Sequence, residues 1–411
     1  MLNQSLSYKA VRALGKGTWK KHDPNNDYDN FIENTYLDIE KKLVNGGYNF
    51  SPFKSKNVNG KKGYDFIEPS DELVCKKLND NIRRLFKVMP SDRHAIIKQV
   101  VSLSKDSQPV TIARLDIKEF YESIERGRVI KFISEQWLLS QQNRIVLKAW
   151  DNELNKHGIN GLPRGMALSS TISEIKIRSF DKAMKYERDV YYYARYVDDI
   201  IIFYSGSKQK LENVLQKNLE KTATELSLNK DKCRIYELNK IESPAFHELD
   251  YLGYKITISA IPTDINKMRN VEVHISEKKI NKIKFRIRRA FCSYARERNF
   301  NLLYSRLKFL SGNQYIIGDI DRTKLKSGIY YNYPLITDFK QLKELDDYYQ
   351  KLLRCTDAPV GLALKMIKNH SVVNVTSRCE KICSISFHFG FHKKIMNSFT
   401  ASDSKKIKRC W

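Results

Sequence analysis

Asp198 and Asp199 stand side by side in YYYARYVDDIIIF, residues 191–203. Their flanks are apolar and aromatic. A strand–turn–strand reading pairs Tyr191–Ala194 with Ile200–Phe203 and leaves both carboxylates at the hairpin tip. At an ordinary exposed turn two aspartates mean only a solvated loop. Held at a protected cleft they repel, and each raises the other's pKa. A divalent cation removes that penalty and keeps both ionised, so a third carboxylate is expected to converge on the pair. Asp116, in TIARLDIKEFYESI, is the best supplier. It ends an apolar strand and is the one acidic residue between positions 108 and 118. An oxygen-rich site of this kind suits two Mg²⁺ held together with substrate phosphates, the arrangement for in-line phosphoryl transfer.

The surrounding sequence supplies elements to position these groups. Residues 1–50 read as basic and helix-rich. YNFSPFKSKNVNGKKGYDFIEPSDELV carries an Asn59-Gly60 turn signal and reads as a basic β-hairpin. Ser70 or Asp71 is placed to cap the helix that follows. An apolar strand runs to Leu115, and helical patterns follow over 125–155 and 171–187, separated by the Gly/Pro loop HGINGLPRGMALSS. A polar helix is expected at 208–226. Beyond residue 275 the chain turns basic and helical. Ile280, Ile283, Ile287, Ala290, Phe291 and Tyr294 share one face, and Lys282, Lys284, Arg286, Arg288, Arg289 and Arg296 lie mostly around the rest.

The chain has 411 residues, enough for two or three domains. Its 73 Lys+Arg against 47 Asp+Glu give a net charge of +26, which calls for an anionic partner, nucleic acid first and an anionic membrane surface second. No apolar run is long enough to span a bilayer, and MLNQSLSYKAVRALGKGTWKK lacks an apolar signal core, so export is not expected. Seven scattered cysteines, an odd number, suit a reducing cytosol better than a disulfide framework.

Five blocks occur in order: Asp116 with Phe120-Tyr121, GLPRGMALS at 161–169, YVDD at 196–199, LSLNKDKC at 226–233 and YLGY at 251–254. Together they resemble the palm motifs of reverse transcriptases. The resemblance covers roughly 110–255 and implies an α+β right-hand polymerase. Fingers and palm would fill 1–258, a helical thumb 259–355 and a C-terminal extension 356–411. It implies Asp116, Asp198 and Asp199 as catalytic acids, with Ile117 lending its backbone carbonyl to the two Mg²⁺ ions, for which Mn²⁺ could substitute. Tyr121 would pack under the incoming sugar and exclude a 2′-hydroxyl, although the bland alternative is a core tyrosine. Phe120 reads as core. Gly161 and Gly165 would let the backbone approach the nucleotide. Arg164 stands where relatives often have glutamine, so its nucleotide contact is less secure than that of its neighbours. Ser169 either meets the template or caps the next helix. Lys232 resembles the lysine that neutralises pyrophosphate; otherwise it is a solvated lysine. Tyr251, Leu252, Gly253 and Tyr254 resemble the primer grip. In the fingers, Arg93 and Lys98 are candidates for triphosphate contacts, against a reading as solvated charges. Lys282, Arg286, Arg289 and Arg296 would meet nucleic-acid phosphates.

The spacing of Cys379, Cys383, His388 and His392 invites a zinc knuckle, but the alternation of Ile385, Phe387, Phe389 and Phe391 with polar residues reads instead as a half-buried strand, and zinc is not expected. The opening MLNQSLSYKAVRAL, the RLDIKEFYESI block and LYSRLKFLSGN…SGIYYNYPLIT resemble bacterial antiphage defence reverse transcriptases, most of all the first polymerase of the two-polymerase type 3 systems. That implies a cytoplasmic bacterial enzyme with a noncoding RNA template, deoxynucleotide substrates, a DNA product, a second reverse transcriptase as partner and a higher-order oligomer, with no membrane association. The rival readings are an RNA-directed RNA polymerase or template-independent nucleotidyl transferase, and a non-catalytic RNA-binding scaffold.

Overall fold

A computed structural model describes residues 2–43, 47–58, 60–238, 246–260, 262, 267–317, 324–369 and 375–411. Helices α1 (Tyr8–His22) and α2 (Tyr28–Lys42) open the chain, followed by β1 (Lys54–Val58), β2 (Lys61–Asp65), α3 (Pro69–Leu85) and α4 (Arg93–Ser104). Strand β3 (Val110–Asp116) leads into α5 (Phe120–Ser123), α6 (Arg126–Glu135), α7 (Gln141–Lys156) and α8 (Ala167–Lys185). The hairpin β4 (Val190–Tyr196) and β5 (Asp199–Tyr204) precedes α9 (Lys208–Thr222) and β6 (Arg234–Leu238). The remainder comprises β7 (Phe246–Tyr251), β8 (Tyr254–Ser259), β9 (Val271–Ile275), α10 (Glu277–Glu297), α11 (Phe300–Ser311), β10 (Asn313–Ile317) and β11 (Lys324–Gly328). It ends with α12 (Lys340–Leu353), α13 (Val360–Asn369), α14 (Val375–Cys383), α15 (Phe387–His392), β12 (Met396–Asn397) and α16 (Ala401–Lys408).

Two compact units result: Met1–Asp92 with Pro109–Asn239, and Arg93–Gln108 with Lys240–Trp411. Residues 93–108 join the later unit because long-range hydrogen bonds tie them there. Arg93 Nε donates to the Leu252 carbonyl at 2.8 Å, and the buried Arg269 donates to the carbonyls of Asp106 and Gln108 at 2.7 and 3.0 Å.

The first unit centres on an antiparallel sheet in the order β4-β5-β3-β6. Ile200, Ile201, Ile202 and Phe203 of β5 are fully buried, as a central strand covered on both faces requires. Helix α8 lies against its core with Leu168, Ile172, Ile177 and Phe180 buried. The basic hairpin forms as β1–β2, with Gly60 at φ 83°, while Asn59 lies outside the described residues. Neither Ser70 nor Asp71 caps α3. Pro69 begins it and Glu68 is the N-cap. Asp71 is buried instead, accepting from Tyr48 Oη at 2.7 Å and Ser51 N at 2.8 Å. The expected 125–155 helix is two helices, because Ser140 caps α7 by accepting from Asn143 N.

The second unit holds an antiparallel sheet β7-β8-β9 and a small sheet β11-β10-β12. Helix α10 buries Ile280, Ile287, Ala290, Phe291 and Tyr294, the apolar face expected from the sequence. The strand expected at 385–391 is instead the short helix α15. Ser386 Oγ accepts from Phe389 N, and Asp346 accepts from the amides of Phe387 and His388, so first-turn donors that a strand would have paired are already satisfied. Among the described residues no helix is long and apolar enough to cross a membrane.

Candidate active site

The three acidic residues meet on neighbouring strands of the first unit. In the β3–β5 register Asp116 pairs with Asp199, and the Ile117 amide donates to the Asp198 carbonyl at 3.0 Å. Asp116 is buried at 5% exposure, and the hairpin tip carries Asp198 and Asp199 half-buried beside it. Burial raises the pKa of Asp198, and the negative charge of Asp116 adds to it. Burial likewise raises Asp199; the Arg114 guanidinium opposes this, and the charges of Asp198 and Asp116 reinforce it.

Each outer carboxylate already faces a basic side chain. Lys232 Nζ lies 3.3 and 3.1 Å from the two Asp116 carboxylate oxygens. Arg114 Nη2 lies 2.7 Å from Asp199 Oδ1, and its Nη1 donates to the Lys232 carbonyl at 2.6 Å. Among the described residues no three Asp, Glu, His or Cys side chains converge closely enough to cage an ion as they stand. The donor chemistry nevertheless fits Mg²⁺. Carboxylate and carbonyl oxygens are hard ligands, and the ammonium lying across both oxygens of Asp116 shows that a cation is accommodated there. Asp116, Asp198 and Asp199, with the Ile117 carbonyl, would hold the metal.

Sequence reasoning passed over Arg114 and Arg195. Arg114 lies two residues before Asp116 on the same strand, so period-two alternation puts both on one face. Arg195, 6% exposed, is the hub of a buried network. Its guanidinium reaches Glu174 Oε1 and Oε2 at 3.0 and 2.7 Å and Asp181 Oδ1 and Oδ2 at 2.9 and 2.8 Å. Nη1 also donates to the Val197 carbonyl at 2.8 Å. Val197, at φ 60°, is a β-branched residue in the left-handed region, where only strong local restraint holds it. Arg195 thus clamps the residue immediately before Asp198.

The GLPRG loop is built against its own chain. A Cβ on Gly161 would stand 2.5 Å from the Glu122 carbonyl oxygen. Gly165, at φ 92°, would set one 2.6 Å from Lys56 Cε and 2.9 Å from the Tyr64 carbonyl oxygen. Both glycines therefore serve close packing within the protein. Arg164 is gripped by Glu122 through two bonds of 2.7 and 3.0 Å, and its guanidinium lies 5.3 Å from the centre of the Tyr121 ring. Tyr121 is half-buried, and burial raises its pKa. Phe120 is core, and Ser169 is buried at 1% exposure with no hydrogen-bond partner for Oγ among the described residues.

The remaining expected residues belong to the second unit. Leu252 (φ 46°) and Gly253 (φ 82°) form the β7–β8 turn, while Tyr251 and Tyr254 are buried and pack. Arg93 stacks against Tyr254 at 4.9 Å and Tyr333 at 5.6 Å and donates to the Leu252 and Asn332 carbonyls, which accounts for it structurally. On α10, Lys282, Arg289 and Arg296 are exposed and Arg286 is half-buried. His388 and His392 touch on α15, their rings 4.3 Å apart.

Residues 71–256 match the family model for reverse transcriptase (RNA-dependent DNA polymerase). This stretch is a reverse transcriptase domain. The matched family is that of RNA-directed DNA polymerases, and the α+β fold, with its antiparallel sheets and many helices, fits a right-hand polymerase. No curated protein matches the chain. One solved structure that matches is apo telomerase from Candida tropicalis truncated of its C-terminal domain. It has 13% identity and a TM-score of 0.37, over 61% of this chain and 60% of that one.

Proposed function

We propose that this chain extends a primer 3′ end with deoxynucleotides by copying RNA, using Asp116, Asp198 and Asp199 as its acidic set. The observation that carries this reading is the pairing of Asp116 with Asp199 across β3 and β5, locked by the Ile117–Asp198 backbone hydrogen bond. Two divalent ions, Mg²⁺ with Mn²⁺ as substitute, would supply activation of the primer hydroxyl and neutralisation of the leaving pyrophosphate. The protein's own part is electrostatic and steric. Partial burial makes the Asp198 and Asp199 carboxylates costly to leave uncompensated, so the hairpin tip is primed for cations. Lys232, close enough to bond Asp116, brings a positive charge to where phosphate charge would collect. Glu122 fixes Arg164 over Tyr121, and the held ring would close the space a 2′-hydroxyl needs.

The finer setting is also part of this proposal. The sequence blocks shared with bacterial defence-associated reverse transcriptases support a cytoplasmic role in antiviral defence. There the chain would copy a dedicated noncoding RNA and act with a second reverse transcriptase in a larger assembly, with Tyr251–Tyr254 gripping the primer and α10 facing phosphates as thumb. Sequencing the nucleic acid that copurifies with the protein, before and after deoxynucleotides are added, tests the reading. DNA complementary to one bound RNA is the expected product. Untemplated tails, or preferential incorporation of ribonucleotides, would overturn it.

A further inference from the structure

Within the second unit, α10, α11, β10, β11 and α16 enclose a cleft of about 390 Å³. Four cations line it: Lys279, Lys282 and Arg286 from α10 and Lys408 from α16. None of the four forms an ion pair among the described residues. Burial, then the neighbouring charges of Lys282, Arg93, Lys278 and Arg286, push the Lys279 pKa down, and burial pushes Arg286 down. Clustered cations without a carboxylate partner favour a bound anion. Gln314 of β10 supplies a second, independent signal. It is 5% exposed and lines the cleft, and its carbonyl Oε1 has no hydrogen-bond partner among the described residues. A buried acceptor left open costs about 1–3 kcal/mol unless a donor arrives. Trp411 completes the wall. The Arg286 guanidinium lies 5.5 Å from its ring centre, and the ring meets Phe309 at 6.2 Å.

Inorganic phosphate would satisfy the cations but leave Gln314 and the aromatic wall unused. A duplex is too wide for a cleft of this volume. One nucleotide answers every feature: phosphate for the cations, a base or sugar N–H or O–H for Gln314 Oε1, and a flat ring for the aromatic wall. We infer that this cleft binds a single nucleotide, either a free nucleoside phosphate or an unpaired nucleotide of a strand, through residues none of which belongs to the acidic site. The inference goes beyond the polymerase reading and does not depend on it.

The test is equilibrium binding to the full chain carrying Asp198→Ala, in EDTA, which suppresses metal-dependent binding at the acidic site. The probes are the four ribonucleoside 5′-monophosphates, a single-stranded oligoribonucleotide and inorganic phosphate. Monophosphates binding directly identifies a free nucleotide as ligand, and binding of the oligoribonucleotide alone identifies a nucleotide within a strand. Either result, weakened at least tenfold by Gln314→Met and by Lys408→Glu, supports the site. Lys408 is exposed, so its variant folds and keeps the test decisive if Gln314→Met does not. Binding of every probe unchanged by Lys408→Glu, or phosphate binding as tightly as the nucleotides, would overturn the inference.

Discussion

Replacing Arg195 by methionine separates positioning of the acidic turn from stability of the fold. The guanidinium is buried between Glu174 and Asp181, and removing it leaves two carboxylates without their counter-charge. Breaking a buried pair in this way costs about 3–5 kcal/mol of stability. A separate term acts on the site. Arg195 Nη1 holds the Val197 carbonyl at 2.8 Å, and a hydrogen bond from a charged donor contributes about 1.5–3 kcal/mol. That restraint opposes the roughly 1–2 kcal/mol cost of a left-handed valine. Without it the turn leaves the geometry that presents Asp198, and kcat for deoxynucleotide incorporation should fall about 10- to 100-fold. The second substitution Val197→Gly removes the backbone cost, since glycine accepts φ 60° freely. It should restore about 5- to 30-fold of kcat while leaving most of the lost stability unrecovered. Steady-state primer extension beside thermal melting reads both quantities. If Val197→Gly restores no activity, or if activity and melting temperature recover together, the clamp is merely structural and the reasoning fails.

Tyr121→Ala should relax sugar selection, raising ribonucleotide incorporation relative to deoxynucleotide by about tenfold or more; unchanged discrimination would return Tyr121 to the core. Glu72 is buried, which raises its pKa, but hydrogen bonds from Lys21, Lys76 and His22 outweigh burial and bring it from 4.5 to about 2. A lowered folded-state pKa means stability present above pH 4.5 and lost as pH falls towards 2. The loss is at most about 3 kcal/mol. Acid unfolding of Glu72→Gln should lack that component. On α10, Arg289→Ala and Arg296→Ala should each flatten the log–log salt dependence of duplex binding by about 0.9 if each side chain meets one phosphate. An unaltered slope would remove that side chain from the interface.

The central sheet was legible because its strands are locally unambiguous. Ile200–Phe203 is an unbroken apolar run and Val110–Leu115 is apolar but for Thr111 and Arg114, so both read as buried strand, and an aspartate flanks each: Asp199 before the one and Asp116 after the other. The basic helix α10 was equally plain, since its apolar residues repeat at helical spacing from Ile280 to Tyr294, about four turns. What failed to show were features decided by distant partners. Residues 93–108 belong with the later unit through bonds from Arg93 and Arg269 to carbonyls more than 150 positions away. Alternating aromatics at 387–391 look like a strand until Asp346 and Ser386 satisfy the helical amides. Arg195 was passed over, because only the folded chain brings Glu174 and Asp181 to it. The GLPRG glycines carried a true signal of close approach, since a Cβ at Gly161 would strike the Glu122 backbone and one at Gly165 would strike Lys56 and the Tyr64 carbonyl.

The most direct measurement is primer extension on an RNA template at saturating Mg²⁺, comparing the unaltered chain with Asp116→Asn and Asp198→Asn, each checked for retained RNA binding. The account predicts that both variants bind RNA as before and lose deoxynucleotide incorporation by about a thousandfold or more. Incorporation within a few fold of the unaltered chain in either variant would contradict it.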